Sequence, residues 1–394
     1  MAGLECKPSA NRTIPALSLH SFHQHASLAV PITFRRHSIS LRASPKQYRF
    51  RHGIVPHSLV ESKAAVAESR GEQLFQLQEG QSRSSHQLPS GLKIEVIEHP
   101  ASSSVEEIRP PLVFLHGSYH AAWCWAVNWL PFFASQGYDC FALSFLGQGH
   151  SDIPASRIGG TLQTHARDVA HFIKSRALKA PVLVGHSFGG LIVQHYLAHV
   201  ATESDEPSLD GSGGWEEPYP VLAGAILACS VPPTGNGPAV LRYLMSRPIA
   251  SIKVTLSLAA KLFTSNESLC KETFFSADMS PSLVQMYQKL LAESSKVPLI
   301  NLRELNASLP VSPPSKNAPP TLIIGAENDF ILDMQGNEET AKAYGNNLLV
   351  LPATAHDIML DIRWRDAAEA VHFWLKENCS HRKGQAKFQV FWSI

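Results

Sequence analysis

The chain has 394 residues, 44% hydrophobic and 17% charged, enough for an α/β domain of roughly 250–300 residues with a sizeable core and flanking segments. Its formal net charge of +1 hides an asymmetry: residues 1–60 hold eight Lys/Arg against Glu5 alone, leaving 26 basic and 32 acidic residues beyond. That mildly acidic body argues against a nucleic-acid partner, and the absence of an apolar run of about 18 residues argues against a transmembrane span.

Residues 1–60 are basic, nearly acid-free and rich in Ser and His, without the apolar stretch of a secretory signal. That is the profile of an organelle transit peptide. Hydroxylated residues and scattered prolines favour a chloroplast address over a mitochondrial one; a plain disordered extension is the alternative. Residues 61–90 read as a linker, with one short helix near 60–68. A strand at 92–98 follows, placed at a sheet edge. Pro111–Leu115 is a buried strand ending at His116-Gly117. A tryptophan-rich helix over 121–130, a strand over 138–145, a turn-rich loop over 146–152 and a helix over 161–176 come next. Residues 202–220 are acidic and rich in Ser, Gly and Pro, hence a surface loop, and 221–229 is another buried strand. Strands alternating with helices predict a mainly parallel sheet covered on both faces.

The alternation stops after Ser230. Residues 234–316 are helical in pattern and read as a cap inserted into the core, with Ser280-Pro281 starting one helix. Strands at 321–325 and 348–351, a helix at 338–344 and a closing helix at 366–377 complete the core. The closing helix is expected to turn Ala370, Val371, Phe373, Trp374 and Leu375 inward. The expected organisation is therefore leader 1–60, linker 61–90, α/β core 91–233 and 317–379, helical cap 234–316 and a tail 380–394. The six cysteines are widely spaced, with no C-x-x-C, which fits a reducing compartment and no metal site.

The chemistry centres on Val182-Leu183-Val184-Gly185-His186-Ser187-Phe188-Gly189-Gly190, a buried strand running into G-x-S-x-G and then a helix. Strand, tight turn with a serine at its apex, and helix make a nucleophile elbow. A serine attacks only if a base takes its proton and a third group orients that base. In chain order the acid and the histidine should follow. His356 is the only histidine between His199 and His372, and Asp329 lies four residues past the strand-ending Gly325, with Glu327 and Asp333 as competing acids. Two backbone N–H groups must receive the developing oxyanion. Phe188, next to the nucleophile, offers one, and Ser118, in the loop after Pro111–Leu115, the other. Gly117, Tyr119, Trp123 and His186 are the expected substrate contacts, with His120 and Trp125 as further pocket-lining candidates.

Together these pieces resemble the α/β-hydrolase-fold serine hydrolases, in particular a capped esterase and lysophospholipase-like branch that includes plant methylesterases and hydroxynitrile lyases. The likeness is carried by His116-Gly117-Ser118 with Ala122-Trp123-Cys124-Trp125, by Gly147-Gln148-Gly149-His150-Ser151, by Gly185–Gly190, by Gly325–Asp329 and by His356–Asp361. It spans about residues 92–378. Ala355 stands where members often carry Gly before the histidine, and Leu146 where many carry Arg or Pro. The resemblance implies hydrolysis of a small-molecule carboxylic ester through an acyl-enzyme on Ser187, with no metal or organic cofactor. A serine at the elbow argues against epoxide-hydrolase and haloalkane-dehalogenase chemistry, which use an aspartate there. The apolar cap points to an apolar or lipid-like substrate and to peripheral membrane contact through the cap. The alternatives are methylesterase or hydroxynitrile-lyase action on a small metabolite, and a non-catalytic ligand-binding protein on this fold. Oligomeric state is not legible in the sequence.

Overall fold

The computed structural model describes residues 75–102, 109–200 and 219–379. The leader 1–60, the start of the expected linker, most of the acidic 202–220 loop and the 380–394 tail lie outside the described residues. Eight strands form one sheet in the order β1-β2-β4-β3-β5-β6-β7-β8: β1 (Ser82–Gln87), β2 (Lys93–His99), β3 (Leu112–Leu115), β4 (Cys140–Ser144), β5 (Val182–His186), β6 (Gly224–Ala228), β7 (Thr321–Ala326) and β8 (Leu348–Leu351). β1 and β2 run antiparallel to their neighbours and all other pairs are parallel. The fold is the mainly parallel, doubly covered sheet expected from the alternation. Helices α1 (Trp123–Ala126), α2 (Trp129–Ser135), α3 (Leu162–Ser175) and α4 (Phe188–Ala198) precede β6. Between β6 and β7 lie α5 (Gly237–Ser246), α6 (Pro248–Ala259), α7 (Glu267–Phe274), α8 (Pro281–Ser294) and α9 (Leu302–Ser308). Helices α10 (Met334–Ala343) and α11 (Trp364–Asn378) flank β8.

The central strands are buried at nearly every position and largely apolar because both faces are covered. Leu112, Phe114, Val182, Val184, Ile226 and Ala228 face one core with Trp125, Trp129, Phe133, Val371 and Leu375. Val113, Leu115, Leu183, Ala225 and Leu227 face the other, with Phe172, Leu191, Ile192 and Ala341. Among the described residues no helix is long and apolar enough to cross a membrane. The five described cysteines are buried and unbridged.

Five expectations are corrected. Ser82–Gln87, inside the expected linker, is the outermost strand, and β2 is therefore not the edge. The polar sequence Ser-Arg-Ser-Ser-His-Gln suits an edge half exposed to water, which is why it reads as linker. The tryptophan-rich segment is two short helices rather than one. Helix α10 starts at Met334, where the Asp333 side chain caps it by accepting from the Gly336 N–H at 3.0 Å. In α11 the buried stripe is Ala367, Ala368, Val371 and Leu375, and Phe373 is exposed on the opposite face.

Candidate functional site

Ser187 sits between β5 and α4 with φ 54° and ψ −119°, a left-handed backbone that a side-chain-bearing residue adopts only under constraint. The neighbouring glycines supply the constraint. A Cβ on Gly185 would lie 2.5 Å from the Gly189 carbonyl oxygen, and one on Gly189 2.3 Å from the Leu115 carbonyl oxygen. A Cβ on Gly190 would overlap Ser230 at 2.3 Å from its Oγ. The turn can therefore be drawn this tight only because three side chains are missing. The Ser187 N–H donates to the Ala228 carbonyl at 3.1 Å, anchoring the apex to β6.

Of the three candidate acids, Asp329 is the one at the histidine. His356 Nδ1–H donates to Asp329 Oδ2 at 2.7 Å, and Asp329 Oδ1 accepts the Ile331 and Leu332 N–H groups at 2.8 and 2.9 Å. Glu327 instead accepts the Ala353 N–H, and Asp333 is paired with Arg242 besides capping α10. Burial would push His356 down, but the Asp329 charge and hydrogen bond, aided by Asp357, hold its pKa above the ordinary imidazole value.

The Gly117 backbone lies against the serine: a Cβ there would come within 2.8 Å of Ser187 Cβ. That brings the Ser118 loop beside the elbow. On the other side, Phe188 is the first residue of α4, whose leading N–H groups have no carbonyl one turn back. Tyr119 (φ 68°) leans on α6 and the turn after it, its hydroxyl donating to the Leu258 carbonyl at 2.8 Å and its ring meeting Phe263 edge-on at 5.0 Å.

Two of the expected substrate contacts lie elsewhere. His186 is fully buried, bonds through Nε2 to the His356 carbonyl at 3.0 Å, and meets Trp125 edge-on; it backs the site instead of facing a substrate. Trp123 donates from Nε1 to Ser294 Oγ at 2.6 Å, and its free edge lines a small side cavity with Phe75, Arg83, Glu95 and His150. Trp125 is core.

The loop carrying His356 is tied to the segment between α7 and α8 and to the end of α7. The Asp357 N–H donates to the Phe274 carbonyl at 3.1 Å, and Asp361 Oδ2 accepts the Ser276 N–H and hydroxyl at 2.9 and 2.6 Å. Asp357 itself is a second buried carboxylate that the sequence reading left without a role. Its partner is His120, 237 residues away, at 2.8 Å. Two groups place a possible metal ligand set within 4.8 Å, His186/His356/Asp357 and Cys229/Asp329/His356. In each the carboxylate is already matched to an imidazole, Asp357 to His120 and Asp329 to His356.

A strained serine at a strand–helix turn, with an acid–imidazole pair delivered by the two late loops of the same sheet, is the arrangement around which one large fold family is built. The alpha/beta hydrolase family model matches residues 112–371. The chain belongs to the alpha/beta hydrolase family. A non-heme chloroperoxidase from Streptomyces lividans is 36% identical over 123 residues, 31% of this chain and 37% of the relative. A protein of Arabidopsis thaliana named as a chloroplastic methylesterase is 28% identical over 92 residues, 23% of this chain and 20% of the relative. The chain thus spans well under half the length of these relatives. Among solved structures, an esterase from Exiguobacterium antarcticum superposes with a TM-score of 0.52 at 20% identity, covering 74% of this chain and 99% of that one. This likeness is one of fold.

Proposed function

We propose that this alpha/beta hydrolase is a serine esterase that cleaves a carboxylic ester of an apolar or lipid-like small molecule. The observation that carries the reading is the 2.7 Å Asp329–His356 bond, on an imidazole whose ring centroid lies 4.7 Å from that of His186, the chain neighbour of the strained Ser187. In this mechanism His356 Nε2 takes the Ser187 Oγ proton as Oγ bonds to the ester carbon. The carbonyl oxygen becomes an oxyanion, received by the Phe188 and Ser118 N–H groups. The carbon–alkoxide bond then breaks, and the alkoxide leaves with the proton from His356. Water, deprotonated by His356, attacks the acyl-enzyme and releases the acid. Asp329 fixes the His356 tautomer and stabilises the imidazolium. Labelling with a fluorophosphonate tests this: the full chain takes the label, and Ser187→Ala does not. Equal labelling of both, or of neither, overturns the serine-esterase reading. The methylesterase name of one relative keeps small methyl esters on the substrate panel, and a p-nitrophenyl ester series of rising chain length orders them against lipid-like ones.

The apolar substrate class rests on the helices α5 and α6. Eight of the thirteen exposed large hydrophobic residues fall between Val240 and Leu262, so exposure is concentrated there. Met245 (78% exposed) and Ile249 (85%) are the extremes. This stretch carries Arg242, Arg247, Lys253 and Lys261 and no acid before Glu267. Arg242 and Lys253 are paired with Asp333 and Glu272, so the face is mainly apolar with Arg247 and Lys261 as its remaining cations, which suits peripheral contact with a lipid surface. It is also tied to the site, because Tyr243 of α5 donates its hydroxyl to the Asp329 carbonyl at 2.9 Å. M245E/I249E is expected to lose co-sedimentation with phosphatidylglycerol-containing vesicles and to keep p-nitrophenyl acetate turnover within about twofold. Unchanged sedimentation overturns the membrane contact. A plastid location is part of the proposal, supported by the basic, acid-poor leader and the name of the Arabidopsis relative.

A further inference from the structure

Behind the serine lies a second histidine–carboxylate pair that the ester mechanism above does not use. His120 and Asp357 are 1% and 0% exposed, and His120 Nε2 stands 2.8 Å from Asp357 Oδ2. His120 Nδ1 stands 2.8 Å from the carbonyl oxygen of Ser118. A carbonyl oxygen only accepts, so His120 Nδ1 must carry a proton. Burial alone would push the Asp357 carboxyl up, but the charge and hydrogen bond of His120 chiefly outweigh that and hold it below the ordinary carboxylate value. An ionised carboxylate also only accepts, so Nε2 carries a proton as well. The ring is then an imidazolium sealed against a carboxylate. Aromatic walls close the pocket: His120 lies flat against Trp123 and meets Phe274 and His186 edge-on, with ring centroids 5.7 to 6.1 Å away.

The two ends of this pair are the two loops that must hold register. One end grips the carbonyl of Ser118, the residue expected to donate an oxyanion N–H. The other is the neighbour of His356 in the chain. A buried ion pair is a poor source of net stability, but removing one partner leaves an uncompensated buried charge, so the two loops it joins are costly to separate. We propose that His120 and Asp357 are positioning residues that lock the oxyanion loop to the base loop through a buried imidazolium–carboxylate bond. The inference rests on the serine-esterase reading for its catalytic consequence, and for the ion pair on the two hydrogen bonds of His120 together with the lowered Asp357 carboxyl.

The pair predicts that H120Q and D357N each lower kcat for p-nitrophenyl acetate by about tenfold to hundredfold with KM little changed, because a misplaced oxyanion donor is felt in the transition state. The double variant H120Q/D357N replaces the charges by an amide–amide hydrogen bond, so its loss is smaller than the product of the two single losses. A rise in KM at constant kcat, or multiplicative losses, overturns the positioning role. Nitrogen-15 NMR of the full wild-type chain reads the pair without any turnover. Two protonated nitrogens on His120 at neutral pH support the ion pair, and a single one overturns it, whether or not either variant folds. Failure of fluorophosphonate to label Ser187 would overturn the esterase reading and the catalytic half of this inference, while the NMR result still decides the ion pair.

Discussion

Ser187→Ala is expected to lower kcat for a p-nitrophenyl ester by about a millionfold, and Asp329→Asn by about ten-thousandfold. The two numbers differ for a physical reason. In the proposed mechanism no acyl-enzyme forms without Oγ, and only the proposed oxyanion donors and binding remain. Without the Asp329 charge the nucleophile and base are intact, but His356 loses the acceptor that fixes its tautomer at 2.7 Å. The pH profile separates the two further. In that mechanism His356 works as a base only when neutral, so turnover is expected to fall as pH drops through its pKa. In the parent chain Asp329 and Asp357 outweigh burial and hold that pKa above the ordinary imidazole value. Asp329→Asn removes the larger raising influence and leaves burial, which lowers it, so the acid limb of kcat/KM moves to lower pH while the plateau drops. Measuring kcat/KM from acid to neutral pH on both proteins checks this. An acid limb that stays in place in Asp329→Asn means that the titrating group is not His356.

Much of this geometry is legible in the sequence because it is written in local steric rules. Gly185, Gly189 and Gly190 around Ser187 announce a turn that side chains would block, and Val182–Val184 announces a strand covered on both faces. Chain order then selects His356. The choice among Glu327, Asp329 and Asp333 is less local. It depends on which carboxylate the 326–333 turn aims at His356, and the answer comes from Asp329 Oδ1 accepting the Ile331 and Leu332 N–H groups. Distant contacts that no motif or chain order announces are not legible. His186, inside the pentapeptide, reads as a substrate contact, yet its ring points away into the Trp125 packing. Asp357 cannot reach the ring of its neighbour as Asp329 does, and its partner His120 is found only by folding. Strand β1 is hidden for the opposite reason: its polar residues obey the edge-strand rule and mimic a linker.

The packing of the elbow carries the largest structural effect. Gly189→Ala puts a methyl 2.3 Å from the Leu115 carbonyl oxygen and 2.7 Å from that of His116. Both are backbone atoms at the end of β3, so no side-chain rotation relieves the overlap. Either α4 lifts from the sheet or β3 shifts in the layer between β4 and β5. Helix α4 buries Leu191, Ile192, Val193, Tyr196 and Leu197, so lifting it opens a dense interface. A loss of about 3 kcal/mol or more is expected, beyond the usual range for an added methyl in a core. Gly237→Ala is the matched control. A Cβ there meets nothing within 4 Å, and the residue begins α5, so the change is expected to be neutral or to stabilise by up to about 1 kcal/mol. Urea unfolding of both variants at constant slope reads the difference. If Gly189→Ala unfolds at the midpoint of Gly237→Ala, the close approach of α4 to β3 is not what holds Ser187 in its strained turn. If it unfolds far earlier, the strain at Ser187 is sustained by backbone contact that only glycine permits, and the same variant should lose fluorophosphonate labelling in whatever fraction remains folded.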